Sequence, residues 1–187
     1  LVYLYDTCCM SEVSIIGWMV NTLENWQMLT ISEKQNPITS LEGWTLIPDL
    51  MLKDVEHSTA QKGLIFPGGF EIHVSKALSS LVHHFDTEKK LIGAICAGPT
   101  HLALAGVLDS YQYTTSRTPQ YYEQVSESDP FPRRNYLEQR YVRDRNVITS
   151  LGTALLEFTD QILTYLDLYS SPTERSEFQT GFTPQWN

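Results

Sequence analysis

The feature that most constrains the fold of this chain is the regular alternation of short apolar strands with amphipathic helices. Between residues 62 and 108, the segments KGLIFPGGF, HVSKALSSLVHHF, KLIGAIC and GPTHLALAGVL follow one another in that order. Helices between successive strands are typical of parallel sheets, because a parallel crossover needs a long connection that packs back onto the sheet. We therefore predict an α/β fold, with a mostly parallel sheet and helices on both of its faces.

The size and charge of the chain limit its class. Its 187 residues suit one α/β domain, expected over residues 1–170 and followed by a C-terminal tail over residues 171–187. Hydrophobic residues make up 42% of the chain, which is enough for a large core. The formal net charge is −9, and acidic residues interrupt the densest basic stretch, FPRRNYLEQRYVRDR. Because nucleic acid binding needs a basic face, we exclude it as a function.

The same sequence predicts a location. It has no run of 18 apolar residues, so we expect no membrane-spanning helix. The apolar start LVYLYDTCCM has no basic segment before it, so we expect no signal peptide. Three cysteines, Cys8, Cys9 and Cys96, do not make a disulfide framework. Together these observations predict a protein of the reducing cytoplasm.

Weaker patterns assign the remaining segments. The spacing in MSEVSIIGWMVNTL predicts a first helix, capped by Ser11 and with Trp18 in the core. LMLKDVEHS is expected to form a short polar helix, and YQYTTS a short strand. Residues 117–140 are polar, aromatic and interrupted by prolines, so we expect them to be irregular. No internal repeat or domain linker is visible.

Three segments with chemically useful residues fall at the ends of predicted strands. They are Asp6-Thr7-Cys8-Cys9, Pro67-Gly68-Gly69 and Cys96-Ala97-Gly98. In parallel α/β sheets, ligands bind outside the carboxyl ends of the strands. The convergence of these segments at one edge therefore predicts the functional site.

Cys96 lies where the strand KLIGAIC meets the helix GPTHLALAGVL. A residue on such a sharp turn holds its side chain above the sheet, as in a nucleophile elbow, and the helix N-terminus favours a thiolate. The N–H groups of Ala97 and Gly98, with that of Gly69 on a neighbouring strand, can bind a developing oxyanion. The structural alternative is a small buried side chain that only fills space.

The segments AICAGPTHLALAGVL and GLIFPGGF closely resemble the ThiJ/PfpI superfamily, and the likeness extends from about residue 1 to residue 168. IPDLMLKD and NVITSLGTALLEFTDQIL are similar to the superfamily's segments before the Pro-Gly-Gly strand and at its final strand and helix. The resemblance implies a class I glutamine amidotransferase-like fold, which is a flavodoxin-like three-layer sandwich. It also implies a homodimer.

By position, the resemblance implies a role for four residues. Cys96 matches the reactive cysteine, Glu12 the glutamate beside its sulfur, and Gly69 and Ala97 the backbone donors to an oxyanion. A protonated Glu12 could donate a hydrogen bond to the thiolate, which would lower the pKa of the thiol and raise its own. The alternative for Glu12 is a solvated residue in the first helical turn.

Further candidates surround this set. The pocket residues that we predict are Gly68, Phe70, Ser116 and Cys8. Cys8 or its neighbour Cys9 could resolve an oxidised Cys96, or both could simply be small buried side chains in a turn.

The chain departs from the superfamily pattern in its histidines. The protease-like branch has histidine where this chain has Ala97, the deglycase-like branch often has one where this chain has Ser116, and the segment TSLGTAL lacks the His-x-Glu of glutamine amidotransferases. We predict surface or packing roles for the five histidines, which are His57, His73, His83, His84 and His101. No pair has metal-ligand spacing, so we expect neither a metal nor an organic cofactor.

Three functions remain open. The first is an enzyme in which Cys96 attacks a small reactive carbonyl or amide-like substrate, as in glyoxalase or deglycase chemistry. The second is a non-enzymatic redox sensor that uses oxidation of Cys96. The third is a PfpI-like cysteine peptidase or amidase, which requires a histidine from another loop or subunit. Turnover of methylglyoxal discriminates the first from the second.

Overall fold

The structure is built around one seven-stranded sheet. It is a computed structural model that describes residues 1–56 and 58–181. The strands are β1 (Val2–Tyr3), β2 (Thr30–Ser32), β3 (Ile38–Thr39), β4 (Thr45–Leu46), β5 (Leu50–Met51), β6 (Gly63–Phe66), β7 (Leu91–Ile95), β8 (Tyr141–Asp144) and β9 (Val147–Ser150). The helices are α1 (Ser14–Asn21), α2 (Lys76–Thr87), α3 (Pro99–Leu104), α4 (Pro119–Val125), α5 (Leu155–Tyr165) and α6 (Pro172–Gly181).

The sheet has the order β5-β2-β1-β6-β7-β9-β8. All of its pairings are parallel except that between β8 and β9, which form an antiparallel hairpin at one edge. β6, β7 and β9 lie side by side at the centre, so their carboxyl ends, Phe66, Ile95 and Ser150, meet at one edge. This confirms the predicted flavodoxin-like, mostly parallel architecture.

Helices cover the sheet because their apolar residues recur at helical spacing. In α2, Leu78, Leu81, Val82 and Phe85 are buried, as expected for one face of an amphipathic helix. The Ser75 hydroxyl accepts a hydrogen bond from the Leu78 N–H at 3.1 Å and caps the start of α2.

The opposite layer contains α1 and α5, which pack against each other. Gly93 in β7 permits close packing of α5, because a Cβ atom at Gly93 would lie 2.7 Å from Cδ1 of Ile162. α6 packs on α5 through the half-buried ion pair between Arg175 and Asp160, 2.8 Å apart. The segment 171–181, expected only as a tail, is thus a packed and mostly helical element. Residues 182–187 lie outside the described residues.

Two segments differ from the predicted secondary structure. The predicted helix LMLKDVEHS is wrong: Leu50–Met51 instead pairs with β2 at the sheet edge, and only one short turn, Leu52–Asp54, follows. YQYTTS is not a strand, because it pairs only through one isolated bridge between Tyr113 and Tyr136. Tertiary pairing overrides local propensity in both places.

Two further expectations need correction. Ser11 does not cap α1, because α1 starts at Ser14 and the Ser11 N–H donates to the Glu42 carboxylate at 2.8 Å. Trp18 is 61% exposed, since the buried face of α1 is formed by Ile16 and Val20.

The predicted irregular region 117–140 does contain a short helix, α4. None of the helices in residues 1–56 and 58–181 has the length and apolar character that crossing a bilayer requires.

Candidate functional site

Cys96 occupies the turn between β7 and α3 with a left-handed backbone, at φ 61°. This conformation is uncommon for a residue with a Cβ atom, so the surroundings must hold it in place. The Cys96 N–H donates to the Ser150 carbonyl at 2.8 Å, and the Cys96 carbonyl accepts from the Ser116 N–H and the Thr115 hydroxyl, both at 2.9 Å. The side chain is thereby fixed at the carboxyl edge of the sheet, as the sequence predicted.

Glu12 reaches the same point from another element. It ends the single helical turn Met10–Glu12 before α1 and is only 8% exposed. Its Oε2 accepts a hydrogen bond from the Gly68 N–H at 2.7 Å, which compensates in part for burial of the carboxyl group. Its carboxyl group lies beside the Cys96 thiol, because both groups are near the same two points of the backbone, at Gly68 and Gly152. Glu12 is therefore not the solvated helix residue of the alternative reading.

Two glycines form the walls of this pair. A Cβ atom at Gly68 would lie 2.8 Å from Glu12 Oε2 and 3.1 Å from Cys96 Sγ. A Cβ atom at Gly152, just after β9, would lie 3.0 Å from both Cys96 Sγ and Glu12 Oε1. The thiol and the carboxyl group are thus held between two stretches of bare backbone, and any side chain at either position would displace them.

The electrostatics of the pair are governed by burial. Burial raises the pKa of the Glu12 carboxyl group, although the Gly68 N–H and the thiol favour its charged form. Burial, and then the negative charge of Glu12, raise the pKa of the Cys96 thiol to about 11, against the opposing effect of the Ser116 hydroxyl and the Ala97 N–H. The raised pKa of Glu12 agrees with the expectation from the sequence. The raised pKa of Cys96 is opposite to the lowered pKa that was expected. At neutral pH the Cys96 thiol therefore keeps its proton.

The pH dependence of Cys96 alkylation tests this assignment. We expect the iodoacetamide reaction of wild-type protein to stay slow through pH 8 and to accelerate toward pH 11, because only the thiolate reacts. Glu12→Gln removes the neighbouring negative charge, so it should shift the profile to lower pH. The measurement uses a Cys8→Ser, Cys9→Ser background. A wild-type pKa below that of a free thiol, or an upward shift in Glu12→Gln, would show instead that Glu12 acts as a protonated donor.

The predicted oxyanion donors are Ala97, which directly follows Cys96, and Gly69, which follows Gly68. Neither donates its N–H to a backbone carbonyl in the described part of the chain, and the Ala97 N–H acts to lower the pKa of the Cys96 thiol. Gly69 requires the absence of a side chain, since a Cβ atom there would lie 2.6 Å from the Thr7 carbonyl oxygen. The oxyanion-donor role of both N–H groups stays a prediction.

The other predicted pocket residues are placed less uniformly. Ser116 is at the site, where its hydroxyl acts to lower the pKa of the thiol and accepts a hydrogen bond from the Gly152 N–H at 3.2 Å. Phe70 is 64% exposed and stands between two cavities, of about 430 and 220 Å³, neither of which is lined by Cys96. Cys8 is fully buried, with its sulfur 3.8 Å from that of Met10. The structure thus gives no support to Cys8 as a partner of Cys96.

The positions of the four described histidines give no evidence of a base beside Cys96. His101 is fully buried in a ring cluster with Phe66, Tyr3 and Tyr5, and its Nδ1 lies 3.1 Å from the Gly98 carbonyl. His73, His83 and His84 lie on or just before α2, whereas His57 is outside the described residues. Within the described ranges, no three His, Cys, Asp or Glu side chains gather as metal ligands would.

Two residues of this region were not found from the sequence. Gly152 lies in TSLGTAL, and its only local signal is a glycine at the carboxyl end of the last strand. Arg117 follows Ser116, is only 7% exposed, and donates from Nη2 to the Gly69 carbonyl at 2.9 Å. An isolated arginine in a polar stretch carries no sequence signal of burial, so only the structure reveals it.

Comparisons with known proteins agree with this fold. A family model described as the DJ-1/PfpI family matches residues 1–165. The chain is 30% identical over 145 residues to a glutathione-independent glyoxalase of Caenorhabditis elegans, which covers 75% of this chain and 74% of that protein. It is 30% identical over 122 residues to the Parkinson disease protein 7 homolog of Danio rerio, where the match covers 63% of this chain and only 62% of the relative. Among solved structures, a DJ-1 superfamily protein from Agrobacterium tumefaciens superposes with a TM-score of 0.81 at 23% identity, covering 96% and 95% of the two chains, which shows the shared fold.

Proposed function

Because this chain belongs to the DJ-1/PfpI family, we propose that it is a Cys96-dependent enzyme that converts small reactive dicarbonyl compounds into hydroxy acids, as glyoxalases do. The observation that supports the proposal is the close placement of the Glu12 carboxyl group and the Cys96 thiol between Gly68 and Gly152. A carboxylate beside a neutral thiol can take its proton at the moment of attack, which general base catalysis requires.

The first step is addition of the sulfur to the aldehyde carbon, with methylglyoxal as the model substrate. The S–C bond forms, the thiol proton passes to Glu12 and then to the former carbonyl oxygen, and a hemithioacetal results. The N–H groups of Gly69 and Ala97 stabilise the negative charge on that oxygen during the attack. Burial raises the pKa of Glu12, which makes its carboxyl group a better proton acceptor than an exposed glutamate.

The second step moves hydrogen within the substrate. Glu12 removes the proton from the sulfur-bearing carbon, the electron pair shifts toward the ketone to give an enediol, and a proton returns to the former ketone carbon. The aldehyde carbon is thereby oxidised and the ketone carbon reduced, so no external oxidant is needed. Water then hydrolyses the resulting thioester, the C–S bond breaks, the sulfur regains a proton, and lactate leaves.

The two alternatives have less support. A peroxide sensor needs an accessible thiolate, whereas burial and Glu12 keep the Cys96 thiol protonated. A peptidase needs a histidine beside the cysteine, and the buried His101 is instead packed into a ring cluster. The glyoxalase reaction uses the groups that are present.

Product stoichiometry tests the proposal. We expect wild-type protein incubated with methylglyoxal to release many equivalents of lactate per protein chain, measured by NMR. In D2O the lactate should carry deuterium at C2, because the proton passes through an exchangeable Glu12. Formation of one protein-bound adduct per chain with no free lactate would reject turnover.

A further inference from the structure

Arg117 is a buried cation without a carboxylate partner. Only 7% of the residue is exposed. None of the ion pairs formed within residues 1–56 and 58–181 includes it. Of the five N–H donors of its guanidinium group, one is used by the described residues, in the hydrogen bond to the Gly69 carbonyl. A charge removed from water in this way is costly unless an anion or further acceptors meet it.

The guanidinium group lines a cavity of about 220 Å³ next to the Cys96 site. Its carbon lies 3.8 Å from the ring centroid of Tyr121 and 5.7 Å from that of Phe70, so two aromatic faces hold it in place. The rest of the lining is mixed: Ile72, Leu104, Tyr122 and Pro130 supply apolar and aromatic surface, and Thr100, Glu127 and Ser128 supply polar surface.

Such a combination of one fixed cation and apolar walls matches one ligand chemistry. A planar guanidinium group binds a carboxylate through paired N–H donors, and apolar walls accept a ring or a branched carbon skeleton. Glu127 also lines the cavity, but it is exposed and forms no ion pair with Arg117. Its charge would therefore oppose an anion in the cavity rather than neutralise Arg117 at close range.

We propose that this cavity is a second binding site, which takes the carboxylate of a small aromatic or branched organic acid. Arg117 binds the carboxylate, and Tyr121, Tyr122 and Leu104 contact the apolar part. The site is independent of turnover at Cys96, although it touches the catalytic region through Gly69, whose carbonyl accepts from Arg117. Binding at this cavity can therefore be tested independently of the glyoxalase reaction.

Ligand-observed 19F NMR with 4-fluorobenzoate tests the site on the full chain. We expect 4-fluorobenzoate to bind and its neutral counterpart, 4-fluorobenzamide, to bind much more weakly. Arg117→Gln should weaken benzoate binding about 10- to 100-fold, as loss of a charged hydrogen-bond partner does. Benzoate that binds no better than benzamide, or that ignores Arg117→Gln in a folded variant, would overturn the proposal.

Glu127→Gln provides a second variant that does not threaten folding, because Glu127 is exposed. Removing its negative charge should tighten binding of 4-fluorobenzoate about 2- to 5-fold at low salt, and added salt should reduce the gain. Weaker binding in Glu127→Gln would contradict an anion site and would indicate that the cavity selects cations.

Discussion

Cys96→Ser is expected to abolish lactate formation from methylglyoxal, with a loss of at least about 10³-fold in kcat/KM, in the range seen when a covalent nucleophile is removed. The substitution changes only one atom, and the backbone that holds position 96 remains intact. A serine hydroxyl, however, gives up its proton far less readily than a thiol, and the neighbouring Glu12 carboxylate is too weak a base to take it. The reaction then stops before the hemithioacetal forms.

Cys9→Ser is the matched control. Cys9 is half-buried and its sulfur lies 3.2 Å from the Ser11 hydroxyl, outside the Glu12–Cys96 pair. The Cys9→Ser variant should keep wild-type turnover. This result would show that the loss of activity in Cys96→Ser is specific to the Cys96 thiol. Initial rates of lactate release are the measurement, with thermal unfolding to verify that both variants fold. Retention of turnover in Cys96→Ser would exclude a covalent role for the sulfur.

Gly98→Ala is expected to be the most destabilising single-methyl change at the site. A Cβ atom at Gly98 would lie 2.3 Å from the Phe66 carbonyl oxygen and 2.8 Å from that of Ile95. Both obstacles are backbone atoms of central strands, so neither can rotate away, and the turn that carries Cys96 must move. We expect a loss of about 4 kcal/mol or more in the free energy of unfolding, or no soluble folded protein.

Gly106→Ala separates this clash from an effect of backbone conformation. Gly106 has φ 77°, and a Cβ atom there would meet nothing within 4 Å. Its cost should therefore be only the strain of a left-handed alanine, about 1–3 kcal/mol. Urea unfolding of the two variants measures the difference. A Gly98→Ala variant no less stable than Gly106→Ala would show that the strand ends are more compliant than their contacts indicate.

The general architecture could be predicted from the sequence because its signals are local. The apolar run before Cys96 and the glycine and proline after it define a strand, a turn and a helix within ten residues. Likewise, the residues YVRDRNVITS form the predicted hairpin. By contrast, Leu50–Met51 became a strand through pairing with β2, a partner about twenty residues away. No pattern within the segment itself reports such a partner.

The residues of the candidate site also differ in whether a local sequence signal identifies them. Cys96 follows from the local pattern, and the position of Glu12 beside it was available through family resemblance. Gly152 and Arg117 act through contacts with residues between 36 and 140 positions distant, so the sequence alone did not identify them. The direction of the Cys96 pKa shift was also inaccessible, because it depends on whether burial outweighs the local donors.

The surroundings of the thiol are mostly main chain: the N–H of Gly68, the N–H of Ala97 and the bare backbone at Gly152. Main-chain groups persist through most substitutions, whereas side chains of the region, such as those of Phe70 and Ser116, can be exchanged singly. Evolution can therefore alter what reaches the sulfur without rebuilding what surrounds it. We therefore expect proteins that share this main-chain arrangement around the cysteine to differ in substrate preference. Laboratory selection for new substrates should begin with the exchangeable side chains, such as those of Phe70 and Ser116.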